Sequence, residues 1–364
     1  MISDSGETAK YMPSFPALKQ ESDATTDRLS ATTVNCHSDY LCYAIGSYRR
    51  NKDLSLVRQW REKLAVGDVD AVFCAVGGDG DGFPTGYSET LMYFRMVDEL
   101  CKQLQDDFRL VRSAEEIAEA RHDGNVGLFL GLEGCHALEG RLDSIEGLYR
   151  HGLRWLALTW NLSNELGDGT GTEEHGGLTP FGRDVIRMAN RLGIVIDLVH
   201  TSRPTYQEAA AVCRGPFIVS HSNSAKLCAH PRNLTDEQIR MVASAGGVVG
   251  INFFPGLLAS GEAKWADIER HICSVADLVG TRHVALGPDF IDFAPREMAQ
   301  ILHESPVDYG RVSLYPSGFS DDSCFRDIAV QLRAAGFDHE EIADIMGRNV
   351  WRVIKEVGRL SARG

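Results

Sequence analysis

The sequence predicts an α/β fold, a (β/α)8 TIM barrel with extra helices at its C-terminal end. Eight short runs of β-branched and apolar residues alternate with amphipathic stretches along the chain. Most runs are apolar on both faces, which is typical of strands in a parallel sheet covered by helices. No Gly-x-Gly-x-x-Gly motif follows the first strand, so an open dinucleotide-binding sheet is less favoured than a closed barrel.

The predicted strands are separated by polar or glycine-containing segments. The first strand leads through Thr33 and Val34 into Cys36 and His37. The others are Ala71–Val76, Val126–Leu132, Trp155–Trp160, Ile194–Val199, Phe217–Ser220, Val248–Phe253 and Val284–Leu286.

The stretches between the strands have the spacing of helices with one apolar face. Clear examples are Thr205–Cys213, Asp236–Ala245 and Trp265–Leu278. Thr235 and Gln238 have the spacing of a capping box, which predicts that a helix begins there. Residues 325–357 predict two or three further helices that pack outside the barrel.

The composition predicts one domain after a polar start. Residues 1–30 are rich in Ser, Thr and Asp and predict an N-terminal extension, whereas residues 31–364 predict a single barrel domain. The net charge of −14 argues against a nucleic-acid partner. Nine cysteines without a Cys-x-x-Cys pair are typical of reduced thiols.

Two features bear on location. No apolar run reaches the ~18 residues of a membrane span. No basic segment followed by an apolar one opens the sequence, so no export signal is expected. The sequence therefore predicts a cytoplasmic protein with no membrane partner, and leaves the oligomeric state open, a homodimer included.

Polar residues suited to metal binding or acid–base chemistry stand at the ends of five predicted strands. The C-terminal ends of barrel strands open on one face, where barrel enzymes keep their sites. The residues at these ends are His37, Asp39, Glu133, His200, His221 and Asp289. A single histidine at a strand end is usually structural, but these six in register predict one shared site.

The residue types predict the ligand. Three imidazoles and three carboxylates suit divalent cations, among which zinc is the usual choice. His37 and Asp39 are two residues apart and therefore point to the same face of a strand. A carboxylate such as Glu133 can bridge two cations ~3.5–4 Å apart.

Six stretches of the chain form recognisable motifs: CHSDY, GLEGCHAL, RWLALTWN, VIDLVHTS, VSHSNSAKLCAHPRNLTDEQI and LGPDF. In combination, these motifs resemble the membrane (renal) dipeptidase family of the amidohydrolase superfamily, and the resemblance runs from about residue 34 to residue 355. It implies a barrel that holds two zinc ions, although other divalent metals fit the same ligand types. His37 and Asp39 would bind one ion and His200 and His221 the other, with Glu133 bridging both.

The resemblance also implies an activity, the hydrolysis of small dipeptides by a metal-bridged hydroxide. Asp289 would be the catalytic acid and base, in contact with substrate, and Arg232 would bind the substrate's terminal carboxylate. From the residues alone, Asp289 could instead cap a loop and Arg232 could form a surface ion pair.

Two departures from the family pattern put the substrate in question. Trp160 stands where mammalian members carry a histidine that contacts substrate, so Trp160 is expected to line the substrate site. The usual Asp-Phe-Asp-Gly reads Asp289-Phe290-Ile291-Asp292 here. The alternatives are a related amidohydrolase that cleaves N-acyl amino acids, lactones or a dipeptide-like biosynthetic intermediate, and a binding protein that has lost catalysis.

Overall fold

The computed structural model describes residues 32–77, 84–173, 176–294, 300, 303–309 and 315–362. The predicted N-terminal extension, residues 1–30, lies outside the described residues and stays a prediction.

The strands of the described residues form one parallel sheet that curves into a nearly closed barrel. They are β1 (Val34–Ser38), β2 (Ala71–Val76), β3 (Phe108–Leu110), β4 (Val126–Glu133), β5 (Trp155–Ala157), β6 (Val195–Asp197), β7 (Ile218–Ser222), β8 (Val248–Ile251) and β9 (Val284–Leu286). Eight of them follow one another in the order β1-β2-β4-β5-β6-β7-β8-β9. β9 also packs against β1. The predicted (β/α)8 TIM barrel is confirmed.

Helices cover the outside of the sheet. They are α1 (Tyr40–Asn51), α2 (Ser55–Gly67), α3 (Tyr87–Gln103), α4 (Ala114–His122), α5 (Asp143–Arg150), α6 (Pro180–Leu192), α7 (Arg203–Val212), α8 (Asp236–Ser244), α9 (Pro255–Leu258), α10 (Trp265–Val279), α11 (Phe325–Ala334), α12 (His339–Ala343) and α13 (Asn349–Ser361). The last three are the predicted C-terminal helices. The capping box at Thr235 and Gln238 is present at the start of α8. Within the described part of the chain, every helix is too short or too polar to cross a bilayer.

The sequence does not predict β3. This strand pairs with the N-terminal half of β4, where Phe108 lies opposite Val126, whereas β5 pairs with the C-terminal half of β4, where Trp155 lies opposite Gly131. A strand of three residues with a charged residue in its middle shows no periodic pattern, because one alternation is too short to recognise.

Close packing between β4 and β5 supports the floor of the site. A Cβ on Gly131 would lie 2.2 Å from the Trp155 ring, so only glycine lets the indole lie against β4. The indole N–H donates to the Phe129 carbonyl oxygen over 3.0 Å. The ring then presents its edge to His37, with the ring centroids 6.2 Å apart. Trp155 therefore packs beneath a predicted metal ligand.

A buried carboxylate joins the barrel to the C-terminal part of the chain. The Asp322 side chain accepts hydrogen bonds from Asn35 Nδ2 of β1 over 2.7 Å and from Trp60 Nε1 of α2 over 2.8 Å. Asp322 is 2% exposed. The start of the C-terminal helical region is thus tied to the strand that carries His37.

Candidate metal centre

The structure brings all the predicted site residues together at the mouth of the barrel. One cavity is lined by most of them, together with four apolar or aromatic neighbours: Asp39, Glu133, Trp160, His200, His221, Arg232, Phe254, Leu257, Asp289, Ile291 and Tyr309. His37 lies beside this set, in contact with Glu133 and Asp289. The six predicted acidic residues and histidines, up to 252 positions apart in sequence, meet because each lies at the C-terminal end of a strand or within three residues after it.

The first group of donor atoms surrounds His37. Its Nε2 atom lies 3.6 Å from Asp39 Oδ2, 3.7 Å from Glu133 Oε2 and 3.6 Å from Asp289 Oδ1. The second group contains both remaining imidazoles. His200 Nε2 lies 3.1 Å from His221 Nε2, and these two atoms lie 3.2 and 3.4 Å from Glu133 Oε1. Glu133 therefore turns one carboxylate oxygen to each group.

These groups fit a bound cation. Donors ~2.1 Å from one tetrahedral zinc ion lie about 3.4 Å apart, close to the separations seen here. Both ring nitrogens of His37 and Glu133 Oε1 are buried and make no hydrogen bond to any described residue. Buried polar atoms without partners are costly, and a cation would satisfy them. Two overlapping triads have donor atoms within 4.8 Å of one another: His37 with Glu133 and His221, and His37 with Asp39 and Asp289.

Burial and charge act in opposite directions on these groups. Burial disfavours the charged form of His37, but Glu133, Asp39 and Asp289 outweigh it and raise the pKa of His37 to about 10. Burial, together with the nearby Arg232 and His37 cations, holds the pKa of His200 and that of His221 well below the ordinary value. These two imidazoles are therefore neutral, which is the form that binds metal.

Two site residues have an unusual backbone conformation. His200 and Asp289 have φ of 63° and 60°, a region that non-glycine residues rarely adopt. The His200 carbonyl oxygen accepts from both the backbone N–H and the hydroxyl of Thr170, over 2.7 and 2.8 Å. The Asp289 carbonyl oxygen accepts from the Tyr315 hydroxyl, and Asn252 Nδ2 donates to Asp289 Oδ2 over 3.2 Å. These bonds from other segments hold the strained residues in place.

Arg232 presents unused donors to the cavity. It is 4% exposed, and its Nε and Nη1 atoms make no hydrogen bond to any described residue. Its backbone is fixed, since the Ser222 hydroxyl donates to the Arg232 carbonyl oxygen over 2.8 Å. A buried guanidinium with free N–H groups is suited to a carboxylate that arrives with a ligand.

Trp160 forms part of the cavity wall. Its ring centroid lies 5.8 Å from that of His200, and the rings are tilted by 33°. Phe254, Leu257 and Ile291 add apolar surface to the same cavity. The cavity therefore combines a charged floor and a cationic arginine with a partly apolar wall.

Sequence reasoning overlooked three polar residues of the site. Asn161 contacts His200, Asn252 contacts Asp289, and Tyr309 lines the cavity. Asn161 and Asn252 follow β5 and β8, so the strand-end rule that singled out the acidic residues and histidines could have included amides. Tyr309 lies far from any strand and gives no such signal.

Comparison with known proteins identifies relatives of this chain. The family model of membrane dipeptidases, peptidase family M19, matches residues 31–304. Dipeptidase verJ of Clonostachys rogersoniana is 29% identical over 75% of this chain and 66% of that protein. The chain spans between 60% and 66% of the length of the first two curated dipeptidases it matches.

Two solved structures have the same fold. An amidohydrolase from Pseudomonas aeruginosa matches with a TM-score of 0.78 and 24% identity, over 90% of this chain and 97% of that chain. A metallopeptidase from Rhodobacter sphaeroides, bound to a phosphinate mimic of L-Ala-D-Ala, matches with a TM-score of 0.74 and 21% identity, over 90% and 99%.

Proposed function

Because the chain belongs to the membrane dipeptidase family, peptidase family M19, we propose that it is a metal-dependent dipeptidase that hydrolyses the amide bond of small dipeptides. One observation carries this proposal: a cluster of metal-binding side chains and an arginine with free donors face the same cavity. The cluster, once it holds metal, can activate water, and the arginine can bind the free C-terminal carboxylate of a substrate. The dipeptide mimic bound to the Rhodobacter sphaeroides relative supports the same substrate class.

We assign two zinc ions to the centre. His37 and Asp39 would bind one, His200 and His221 the other, and Glu133 would bridge them because its two oxygens face the two groups. When bound, the ions supply Lewis acidity, which activates water near neutral pH and polarises the scissile carbonyl.

Asp289 is the proposed acid and base. Its Oδ2 atom is oriented by Asn252, and its Oδ1 atom lies 3.6 Å from His37 Nε2. Burial raises the pKa of Asp289, opposed by the His37 charge. A carboxylate with a raised pKa exchanges protons more readily near neutral pH. Asp289 would take a proton from the attacking water and return it to the leaving amine.

Arg232 and Trp160 are the proposed substrate contacts. Arg232 would pair with the terminal carboxylate through two N–H groups, which favours short substrates with a free C-terminus. Trp160 would pack against the substrate from the cavity wall, in place of a polar histidine contact. Zinc as the native metal, a cytoplasmic location and a homodimer stay predictions.

Metal analysis and a substrate panel test the proposal together. Protein purified without chelator is expected to contain about two zinc ions per chain and to release free amino acids from a panel of dipeptides. The Asp289→Asn variant, purified in the same way, is the control for contaminating peptidases.

The outcomes separate the alternatives. Less than one ion per chain would contradict the metal assignment and favour a binding protein. Hydrolysis of N-acyl amino acids or lactones, with free dipeptides untouched, would reject the dipeptidase and support a related amidohydrolase.

A further inference from the structure

Asn161 is a fully buried side chain in contact with His200 that the mechanism above does not use. It follows Trp160 after β5 and is 0% exposed. Its Oδ1 atom lies 2.9 Å from His200 Nδ1 and accepts from the Tyr309 hydroxyl over 3.1 Å. Its Nδ2 atom donates to Ser305 Oγ over 3.1 Å. Its backbone carbonyl oxygen accepts from the Gly171 N–H over 2.8 Å, so both ends of the residue are fixed.

The contact with His200 determines which ring nitrogen carries the proton. An amide oxygen only accepts, so it requires N–H on His200 Nδ1. The lone pair is then on Nε2, the atom that faces Glu133 Oε1 and His221. If the amide group were turned by 180°, its NH2 group would face Nδ1 and would favour the proton on Nε2. The ring could then not bind a metal ion through Nε2.

Tyr309 and Arg232 select the orientation of this amide. The Arg232 charge acts on the Tyr309 hydroxyl and opposes the burial that raises the pKa of Tyr309, and both side chains line the same cavity. Because a cation attracts the lone pairs of the hydroxyl oxygen, the Tyr309 proton points away from Arg232 and is donated to Asn161 over 3.1 Å. An acceptor must therefore face Tyr309. Because Tyr309 and His200 contact the same end of the Asn161 amide, the amide oxygen, not the NH2 group, lies on the side of His200.

We propose that Asn161 is a positioning residue for the metal centre, whose amide oxygen fixes the metal-binding tautomer of His200, and that Arg232 and Tyr309 fix the orientation of this amide. The contacts run from the Arg232 charge through Tyr309 and Asn161 to His200. This proposal rests on the proposed function, because it takes His200 as a zinc ligand. It links the residue proposed for the substrate carboxylate to the metal centre through Tyr309 and Asn161.

The test measures zinc affinity by competition with a chromogenic chelator. Asn161→Leu removes the acceptor at similar volume and is expected to raise the dissociation constant of one zinc ion about 10- to 100-fold, as loss of a ligand's hydrogen-bond partner typically does. Asn161→Asp keeps an acceptor towards His200 and is expected to restore most of the affinity. Tyr309→Phe removes one hydroxyl and is expected to raise the dissociation constant ~2- to 10-fold.

Asn164→Leu is the matched control. Asn164 lies in the same loop, is half-buried, donates to the Leu158 carbonyl oxygen and accepts from the Leu166 N–H, and it is not among the described residues that line the cavity. Its zinc affinity is expected to equal that of the wild type. Melting of each metal-free variant shows whether it is folded, and Tyr309→Phe tests the proposal if Asn161→Leu is not.

The results separate two failures. Wild-type zinc affinity in a folded Asn161→Leu variant, or in Tyr309→Phe if Asn161→Leu does not fold, would overturn the positioning role while dipeptide hydrolysis by the wild type still stood. Equal losses in Asn161→Asp and Asn161→Leu would also overturn it, because the acceptor would then be irrelevant. A wild type that neither binds zinc nor cleaves dipeptides would overturn the proposed function itself.

Discussion

Asp289, the proposed acid and base, is the residue at which a loss of catalysis can be distinguished from a loss of metal. In Asp289→Asn the amide oxygen still accepts from Asn252, but the side chain no longer exchanges a proton. We expect kcat to fall ~10²- to 10⁴-fold, as for loss of a general acid or base, while zinc content stays the same. Steady-state kinetics and metal analysis on the same preparation check this.

A matched carboxylate in the same loop serves as the control. Asp292 lies three residues further on and pairs with Lys63 outside the cavity. Asp292→Asn is expected to keep most of the turnover, because this pair is partly exposed and contributes little. If Asp289→Asn lost zinc as well as turnover, Asp289 would be a metal ligand and the acid–base role would have to go to another residue.

Arg232 is predicted to act on substrate binding. Removal of a buried, charge-assisted contact costs about 1.5–3 kcal/mol, so Arg232→Ala should raise KM about 10- to 100-fold for substrates with a free C-terminal carboxylate. Arg203→Ala is the control, since Arg203 is exposed and lines a neighbouring groove. For C-terminally amidated substrates the Arg232→Ala and wild-type enzymes should converge; a KM unchanged by the substitution on free carboxylates would remove Arg232 from the site.

At the scale of elements, the sequence predicts best the strands whose apolar run is bounded by polar residues and glycine, such as β2 and the three-residue β9. β2 was predicted with its observed bounds because six consecutive buried residues make a clear signal. β5 and β6 are shorter than predicted, since the apolar runs continue into buried loop segments beyond the last strand pairing. The residues at these ends are buried but lie outside the strand pairing. The apolar pattern of the sequence indicates burial and gives no signal for strand pairing, so the predicted strands are too long.

For the candidate site too, some features could be predicted from the sequence and others could not. Its proposed metal ligands were predictable because they lie at the ends of recognisable strands. The sequence gives no signal for the bulge in β1 between Asn35 and Ser38, where Cys36 and His37 are both buried. Tyr309 was not predictable either, because its place depends on a segment that reaches the cavity through contacts distant in sequence, such as that between Asn161 and Ser305.

Gly131 offers a test of the packing between β4 and β5. A methyl group there would meet the Trp155 ring, and both residues are enclosed in the core. Gly131→Ala is therefore expected to lower the free energy of unfolding by about 1–3 kcal/mol, the usual cost of overpacking. Because Trp155 lies against His37, a loss of zinc affinity should accompany it. Urea unfolding of the variant and the wild type measures the first effect.

Gly358 is the control for that experiment. It lies within α13, and among the described residues, apart from its chain neighbours and the backbone of its own helix, no atom lies within 4 Å of the position its Cβ would take. Gly358→Ala should stabilise the protein by up to about 1 kcal/mol through helix propensity. A Gly131→Ala variant as stable as the wild type would mean that Trp155 can move aside without cost.

At the scale of the whole molecule, buried carboxylates make stability depend on pH. Burial raises the pKa of Asp322 from 3.8 to about 6, although Trp60 and Asn35 donate hydrogen bonds that oppose the rise. The folded state therefore binds this proton more tightly than the unfolded state does. The contribution of Asp322 to the free energy of unfolding should fall as pH rises from about 4 to about 6, by an amount on the order of 3 kcal/mol for two pKa units.

Asp322→Asn tests this dependence, because an amide does not titrate. The variant keeps one acceptor for Asn35 or Trp60 and loses the other, which costs about 1 kcal/mol at low pH. The loss of stability that Asp322 causes in the wild type between pH 4 and 6 should be absent in the variant. The difference in stability between the two proteins should therefore shrink and then change sign as pH rises. Asp70, whose pKa burial also raises to about 6, acts equally in both proteins, so the difference between them isolates Asp322.

Urea unfolding at steps of pH between 4 and 7 measures the effect, with Asp327→Asn as an exposed control on α11 that should follow the wild type. A slope with pH that is the same in Asp322→Asn and the wild type would show that Asp322 keeps its charge in the fold at no cost. The bonds from Trp60 and Asn35 would then stabilise the carboxylate itself. The link between β1 and the C-terminal helices would in that case be an ionised group, equally strong on either side of pH 5.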